Sequence, residues 1–113
     1  MNRGDVVEVE WTYSDLSGSK IRPAIVVQAD FLNGLVDDTI FVKVTGRSFA
    51  IPGTEVKLDP VVEPASGLTK VCYASCKDIL TRDKTLVIAA VGYVSDAVLR
   101  QIEACLKTVL ELP

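Results

Sequence analysis

The chain has 113 residues, 49% of them hydrophobic and 24% charged, which predicts one domain over residues 1–113 with a buried core and excludes disorder. No apolar run approaches the roughly 18 residues of a membrane span, and Met1–Asp5 opens without the apolar segment of a secretion signal, so a cytoplasmic protein with no membrane partner is expected. The formal net charge of −3 argues against non-specific nucleic-acid binding by the whole surface and leaves any such contact to a local basic patch.

In chain order, Asp5 to Thr12 alternates with Val7, Val9 and Trp11 on one face, the pattern of a half-buried strand. Tyr13 to Lys20 is a polar, glycine-containing loop rich in turn residues. Pro23 to Gln28 contains three consecutive β-branched residues, Ile25, Val26 and Val27, and reads as a buried strand that begins at Pro23. Asp30 to Asp38 reads as a loop or a short helical turn around Asn33-Gly34. Thr39 to Thr45 is the third strand and ends at Gly46. After the Pro52-Gly53 turn, Glu55 to Leu58 gives a short fourth strand, and Thr69 to Cys76 a fifth. Lys77 to Lys84 is polar and broken by aspartates, with Ile79 and Leu80 directed inward. Leu86 to Val94 is too β-branched for a helix, and Gly92 predicts a bend or bulge there.

The C-terminus changes period. Ser95 is placed as an N-cap with Asp96 in the positive first turn, and Leu99, Ile102, Leu106 and Val109 recur at three and four. An amphipathic helix of about 16 residues follows from that stripe. Short strands separated by turn signals and closed by one helix predict a mainly β, α+β fold: a small bent sheet or barrel capped by the helix.

The chemistry on offer is narrow. The chain has no histidine, which removes Ser-His and Cys-His nucleophile pairs and the histidine pair of many ribonucleases. Cys72, Cys76 and Cys105 are an odd number with no histidine to complete a zinc site, so reduced thiols, no metal and no cofactor are expected. Arg22 stands at the entrance of the second strand, where it is either an anion site or a strand-edge arginine paired with a carboxylate. If the second and third strands are antiparallel neighbours, Thr45 comes close to Arg22. A guanidinium and a hydroxyl converging at a sheet rim can hold a phosphate, and Lys20, Lys43 and Arg47 fall in the same segments.

Taken together, Arg3-Gly4-Asp5-Val6-Val7, Gly18-Ser19 before Arg22-Pro23-Ala24-Ile25-Val26-Val27, Val42-Lys43-Val44-Thr45, Gly67-Leu68, and Gly92-Tyr93-Val94-Ser95-Asp96 resemble the MazF/PemK toxin family over nearly the whole chain. The resemblance implies an SH3-like small β-barrel of the MazF/PemK/CcdB kind. It also implies a homodimer, an antitoxin partner, and metal-independent endoribonuclease activity on single-stranded RNA. By resemblance Arg22 and Thr45 match the catalytic arginine and threonine, and Ser19 a loop serine that contacts RNA. Trp11 and Tyr13, flanking the first loop, are either base-stacking platforms or, respectively, core filling and a loop anchor. Lys20, Lys43 and Arg47 are expected to bind RNA, and the acidic antitoxin tail in competition with it. Lys20 stands where the family often has a glutamate, and Ser75-Cys76-Lys77-Asp78 where Asp-Gln or Glu-Gln often precedes an arginine. The same fold also hosts toxins that poison DNA gyrase by protein contact alone, which is the alternative function.

Overall fold

The computed structural model describes residues 1–113. Six strands form one antiparallel sheet: β1 (Asp5–Thr12), β2 (Ser19–Val26), β3 (Asp38–Thr45), β4 (Glu55–Leu58), β5 (Cys72–Asp83) and β6 (Val87–Tyr93). A one-turn helix α1 (Asp30–Asn33) links β2 to β3, and helix α2 (Asp96–Leu110) ends the chain. The sheet order is β4-β5-β3-β2-β1-β6, so β4 and β6 are free edges and the expected barrel is an open sheet rather than a closed one. No helix is long and apolar enough to cross a membrane.

The sheet is buried on both faces because alternate residues of single strands enter separate cores. Val6 of β1 and Ile25 of β2 join Val42, Val44, Leu58, Ala74 and Cys76 under α2, whose Val98, Leu99, Ile102 and Cys105 cover that face. Their neighbours Val7, Val9, Trp11, Ala24, Val26 and Phe41 form a second cluster on the opposite face, joined by Leu80 and Val87. Period-2 patterning therefore reads as a continuous apolar run wherever both faces are covered, as in Ala24-Ile25-Val26. The α2 stripe is held as expected: the Ser95 hydroxyl accepts from the Val98 N–H at 3.2 Å, and Asp96 lies in the first turn.

Between β2 and β3 the chain folds over a small buried polar network. The Gln28 side-chain amide donates to Asn33 Oδ1 and to the Asp38 carbonyl, both at 2.9 Å. The Asn33 amide donates back to the Gln28 carbonyl at 3.1 Å, and the Thr39 hydroxyl donates to Asn33 Oδ1 at 3.2 Å. Every member has a partner, so the β2–β3 connection is fixed rather than merely short.

Several strand boundaries differ from the sequence reading: β2 ends at Val26 rather than Gln28, β5 starts at Cys72 rather than Thr69, and two larger differences follow. β2 begins at Ser19, four residues before Pro23, and pairs with β1 through Thr12↔Ser19, Glu10↔Ile21 and Glu8↔Pro23. The hydrogen bond from the Tyr13 N–H to the Gly18 carbonyl sets the alternation, which makes Glu8–Pro23 a non-hydrogen-bonded pair. The missing proline N–H thus faces β3, and the β2–β3 ladder starts only at Ala24↔Lys43, so no bond is lost. The second difference is β5, which does not stop at Cys76 but runs on to Asp83, with Ile79 more exposed than expected. Its register with β3 jumps from Lys43↔Ser75 to Val42↔Ile79, so Cys76–Asp78 bulge out and the strand resumes beyond them.

Bulging also shapes β6. The register with β1 steps from Val6↔Gly92 to Val7↔Ala90, setting Val91 out of the ladder. A Cβ on Gly92 would lie 2.2 Å from the Ala65 carbonyl oxygen, and one on Gly67 would lie 2.2 Å from the Val91 carbonyl oxygen. The tight turn Pro64–Ser66 is clasped against β6 by this pair of glycines, and Gly67 at φ +70° releases the chain toward β5.

Candidate active site

β2 and β3 share only three paired positions, Ala24↔Lys43, Ile25↔Val42 and Val26↔Phe41. Below Ala24 the two strands part while each continues, β2 back to Ser19 and β3 on to Thr45. Continued in the same register, Arg22 falls opposite Thr45. The gap is a cleft of about 590 Å³ with three walls: Lys20–Pro23, Val44–Arg47, and Leu68–Lys70 with Cys72. The third wall is the chain that leaves the glycine clasp at Gly67.

The cleft is electrostatically one-sided. Lys20, Arg22, Arg47 and Lys70 line it, and none of its twelve lining residues is a carboxylate. All four salt bridges lie elsewhere: Arg3–Glu103, Arg100–Glu103, Lys43–Asp78 and Lys77–Asp78. Arg22 therefore has no ion-pair partner, and of its two sequence readings the strand-edge pair with a carboxylate is not realised. Unpaired cations converging on a concave, half-buried site attract an anion and hold it more strongly than the same charges on open surface.

Thr45 is buried at 9% exposure, and its hydroxyl accepts from the Arg47 N–H at 3.4 Å. That bond occupies a lone pair and leaves the hydroxyl hydrogen free to donate into the cleft. Cys72 lies at the base of the same wall; burial pushes its thiol above the ordinary range, against the opposing pull of the Lys70 ammonium.

The other site candidates divide. Lys20 and Arg47 are in the cleft, whereas Lys43 is not. Its ammonium instead lies 3.5 Å from the Asp78 carboxylate, which also takes Lys77 at 2.9 Å and the Ser75 hydroxyl at 2.7 Å. Burial pushes the Asp78 carboxyl up, but the Ser75 hydroxyl, Lys77 and Lys43 outweigh it and hold the group below the usual carboxylate range. Ser19 is exposed at the start of β2, its hydroxyl donating to the Glu10 carboxylate, outside the cleft. Trp11 is only 7% exposed inside the second core cluster, so of its two readings the structure gives core filling. Tyr13 is 42% exposed with its ring beside Gly18, the loop-anchor arrangement, and it too lies outside the cleft. No group of three histidine, cysteine or carboxylate side chains is arranged to hold a metal. The residues that sequence reasoning passed over are Thr69 and Lys70, which no spacing or motif sets beside Arg22; the pairing of Thr45 with Tyr73 and the clasp at Gly67 and Gly92 together bring them there.

Comparison with known proteins adds a family and a set of neighbours. The family model described as "PemK-like, MazF-like toxin of type II toxin-antitoxin system" matches residues 2–110. Among solved structures, an endoribonuclease in complex with its cognate antitoxin from a mycobacterial species superposes with a TM-score of 0.81 at 26% identity, covering 100% of this chain and 97% of that one. An endoribonuclease from a mycobacterial species gives 0.78, also at 26% identity, covering 100% and 93%. A MazE–MazF complex from Deinococcus radiodurans gives 0.76 at 21% identity, covering 100% and 98%, a likeness of fold.

Proposed function

Because the chain belongs to the PemK-like, MazF-like toxins of type II toxin-antitoxin systems, we propose that residues 1–113 act as one toxin domain that cleaves single-stranded RNA in the cleft between β2 and β3. One observation carries this reading: four cations without carboxylate partners line a single cleft at which Arg22 and Thr45 face each other. The names of the two neighbours at 26% identity, both endoribonucleases, supply the reaction class.

RNA brings its own nucleophile. Attack of the 2′-OH on the adjacent phosphorus forms the O2′–P bond and breaks the P–O5′ bond; the 2′-OH gives up its proton and the departing O5′ takes one up, leaving a 2′,3′-cyclic phosphate and a 5′-hydroxyl. Charge builds on the non-bridging oxygens as the phosphorane forms, and groups already aimed at those oxygens lower the barrier most. The Arg22 fork can bind one non-bridging oxygen together with the leaving O5′, and the free hydrogen of Thr45 can donate to the other non-bridging oxygen. With no histidine or carboxylate in the lining, the protein acts through charge stabilisation and alignment rather than through a side-chain base of those types. Lys20 and Arg47 extend the positive path to neighbouring phosphates of the strand.

The cognate antitoxin is the protein partner that family membership supplies, and the cleft's charge suits an acidic tail laid along it. Two copies of the chain are proposed to associate, since β6 is an unpaired edge with Ile88 and Tyr93 exposed and the exposed Leu86 just before it. No feature of the cleft favours the gyrase-poison reading.

The test is incubation of the purified chain with single-stranded RNA in EDTA, followed by mass spectrometry of the fragments. Fragments ending in 2′,3′-cyclic phosphate and 5′-hydroxyl are expected. Uncut RNA, or 5′-phosphate ends that appear only with magnesium, would refute the mechanism. Light scattering should give twice the chain mass, and antitoxin titration should stop cleavage.

A further inference from the structure

We propose that Lys70, on the third wall of the cleft, is a second cation on the reacting phosphate and stabilises the oxygen that Arg22 does not reach. The proposal rests on the ribonuclease reading above and adds to it a residue on a wall that the β2–β3 pairing does not build.

Three observations place Lys70. A Cβ built on Gly46 would lie 3.6 Å from the Lys70 ammonium and 3.7 Å from its Cε, so the side chain lies over the backbone between Thr45 and Arg47. A Cβ there would stand in ordinary van der Waals contact, so the approach does not depend on a glycine at position 46. Lys70 has no carboxylate within ion-pair distance and makes no side-chain hydrogen bond, so its three donors are unclaimed. Its charge is also felt at the Cys72 thiol inside the same wall, where it opposes the effect of burial.

The geometry distinguishes Lys70 from the other two lysines near the site. Lys43 shares the face of β3 with Thr45 but is spent on Asp78. Lys20 sits near the loop end of the β1–β2 hairpin, opposite Trp11 and two residues before Arg22 on the same strand, and approaches from Arg22's own side. Lys70 comes from the far wall, behind Thr45, so a phosphate seated between Arg22 and Thr45 has the guanidinium on one flank and the ammonium on the other. Two opposed cations stabilise a charge that grows on separate oxygens, whereas two cations on one flank would share one. A compact ammonium with rotatable donors suits a group that changes from tetrahedral to trigonal-bipyramidal during reaction.

Lys70 is exposed, so replacing it leaves the core intact. The experiment measures single-turnover cleavage of a single-stranded RNA by the wild-type protein, Lys70→Ala, Lys70→Arg and Lys70→Met. In parallel, fluorescence anisotropy reads the affinity of each for the same strand carrying 2′-O-methyl groups throughout, which cannot be cut. Lys70→Ala and Lys70→Met are expected to lose about 100-fold in cleavage rate, the scale of one transition-state donor, while affinity for the uncut strand changes less than about threefold. Lys70→Arg should recover much of the loss. Wild-type cleavage by Lys70→Ala, or equal loss of rate and affinity, overturns the proposal and leaves the ribonuclease reading standing. A wild-type protein that cuts no RNA overturns that reading and the proposal with it.

Discussion

Replacing Gly92 by alanine separates the fold from the alignment of the cleft. Gly92 has an ordinary backbone conformation that alanine adopts freely, so the substitution adds one methyl group and no backbone strain. That methyl carbon would stand 2.2 Å from the Ala65 carbonyl oxygen and 2.6 Å from the carbonyl carbon and oxygen of Ser66. All three are backbone atoms, and Ser66 is fully buried, so nothing flexible is available to move aside. The turn Pro64–Ser66 must back away from β6 by about 1 Å to restore van der Waals contact. Overpacking of this kind costs about 1–3 kcal/mol, which at this chain length lowers Tm by roughly 4–12 °C. The same shift carries Leu68–Lys70, and a misplacement of about 1 Å at a reacting group can cost about 100-fold in rate. Circular dichroism melts and single-turnover RNA cleavage at room temperature read the two effects separately. Gly92→Ala should remain folded at the assay temperature yet cleave at least about tenfold more slowly than the wild-type protein. An unchanged Tm would refute the clasp. A lowered Tm with wild-type cleavage would show that the clasp does not position the third wall.

Asn33→Ala should lose about 1–3 kcal/mol in urea denaturation, because the buried Gln28 amide and Thr39 hydroxyl lose their common acceptor; RNA cleavage should persist, since none of the three lines the cleft. Asp78, whose folded-state pKa lies below the ordinary 3.8, contributes stability that is present above that value and lost as pH falls through the folded one. The Tm advantage of the wild-type protein over Asp78→Asn should therefore hold from neutral pH to about 5 and shrink below about 4; an advantage that grows on acidification would contradict the assignment. The Cys76 thiol is pushed up to about 12, mainly by burial, so it should resist iodoacetamide at about pH 8 until the protein is unfolded in guanidinium. Rapid alkylation of the native protein at Cys76 would place that residue wrongly.

Much of this fold was legible where one physical signal acted alone. β1, β3, β4 and α2 were read within a residue or so of their ends, because alternation, β-branching and a 3.6-residue stripe each pointed one way. The start of β2 was misread because Pro23 signals a strand end locally, while the sheet has a position where its missing N–H costs nothing. The length of β5 was misread because Lys77 and Asp78 resemble a loop, and only the paired structure shows them bulging out of a strand that continues. The facing of Arg22 and Thr45 followed from neighbouring antiparallel strands and so was within reach of the sequence. Lys43 and Lys70 were not. Whether a lysine is spent on a carboxylate or left free depends on contacts between distant segments, Lys43 with Asp78 and Lys70 with Gly46, that no local pattern encodes.

The central claim is that Arg22 acts on a phosphate of bound RNA in a cleft where nothing else neutralises it. Its most direct test is cleavage of one single-stranded RNA in EDTA by the wild-type protein, Arg22→Ala and Arg22→Lys, with a melt of each variant. Arg22 is half-buried at the cleft rim and belongs to neither core cluster, so both variants should melt within a few degrees of the wild-type protein. Both should fail to cleave, the lysine variant because a point charge does not reproduce the two-oxygen fork. Cleavage at the wild-type rate by a folded Arg22→Ala protein would contradict the account.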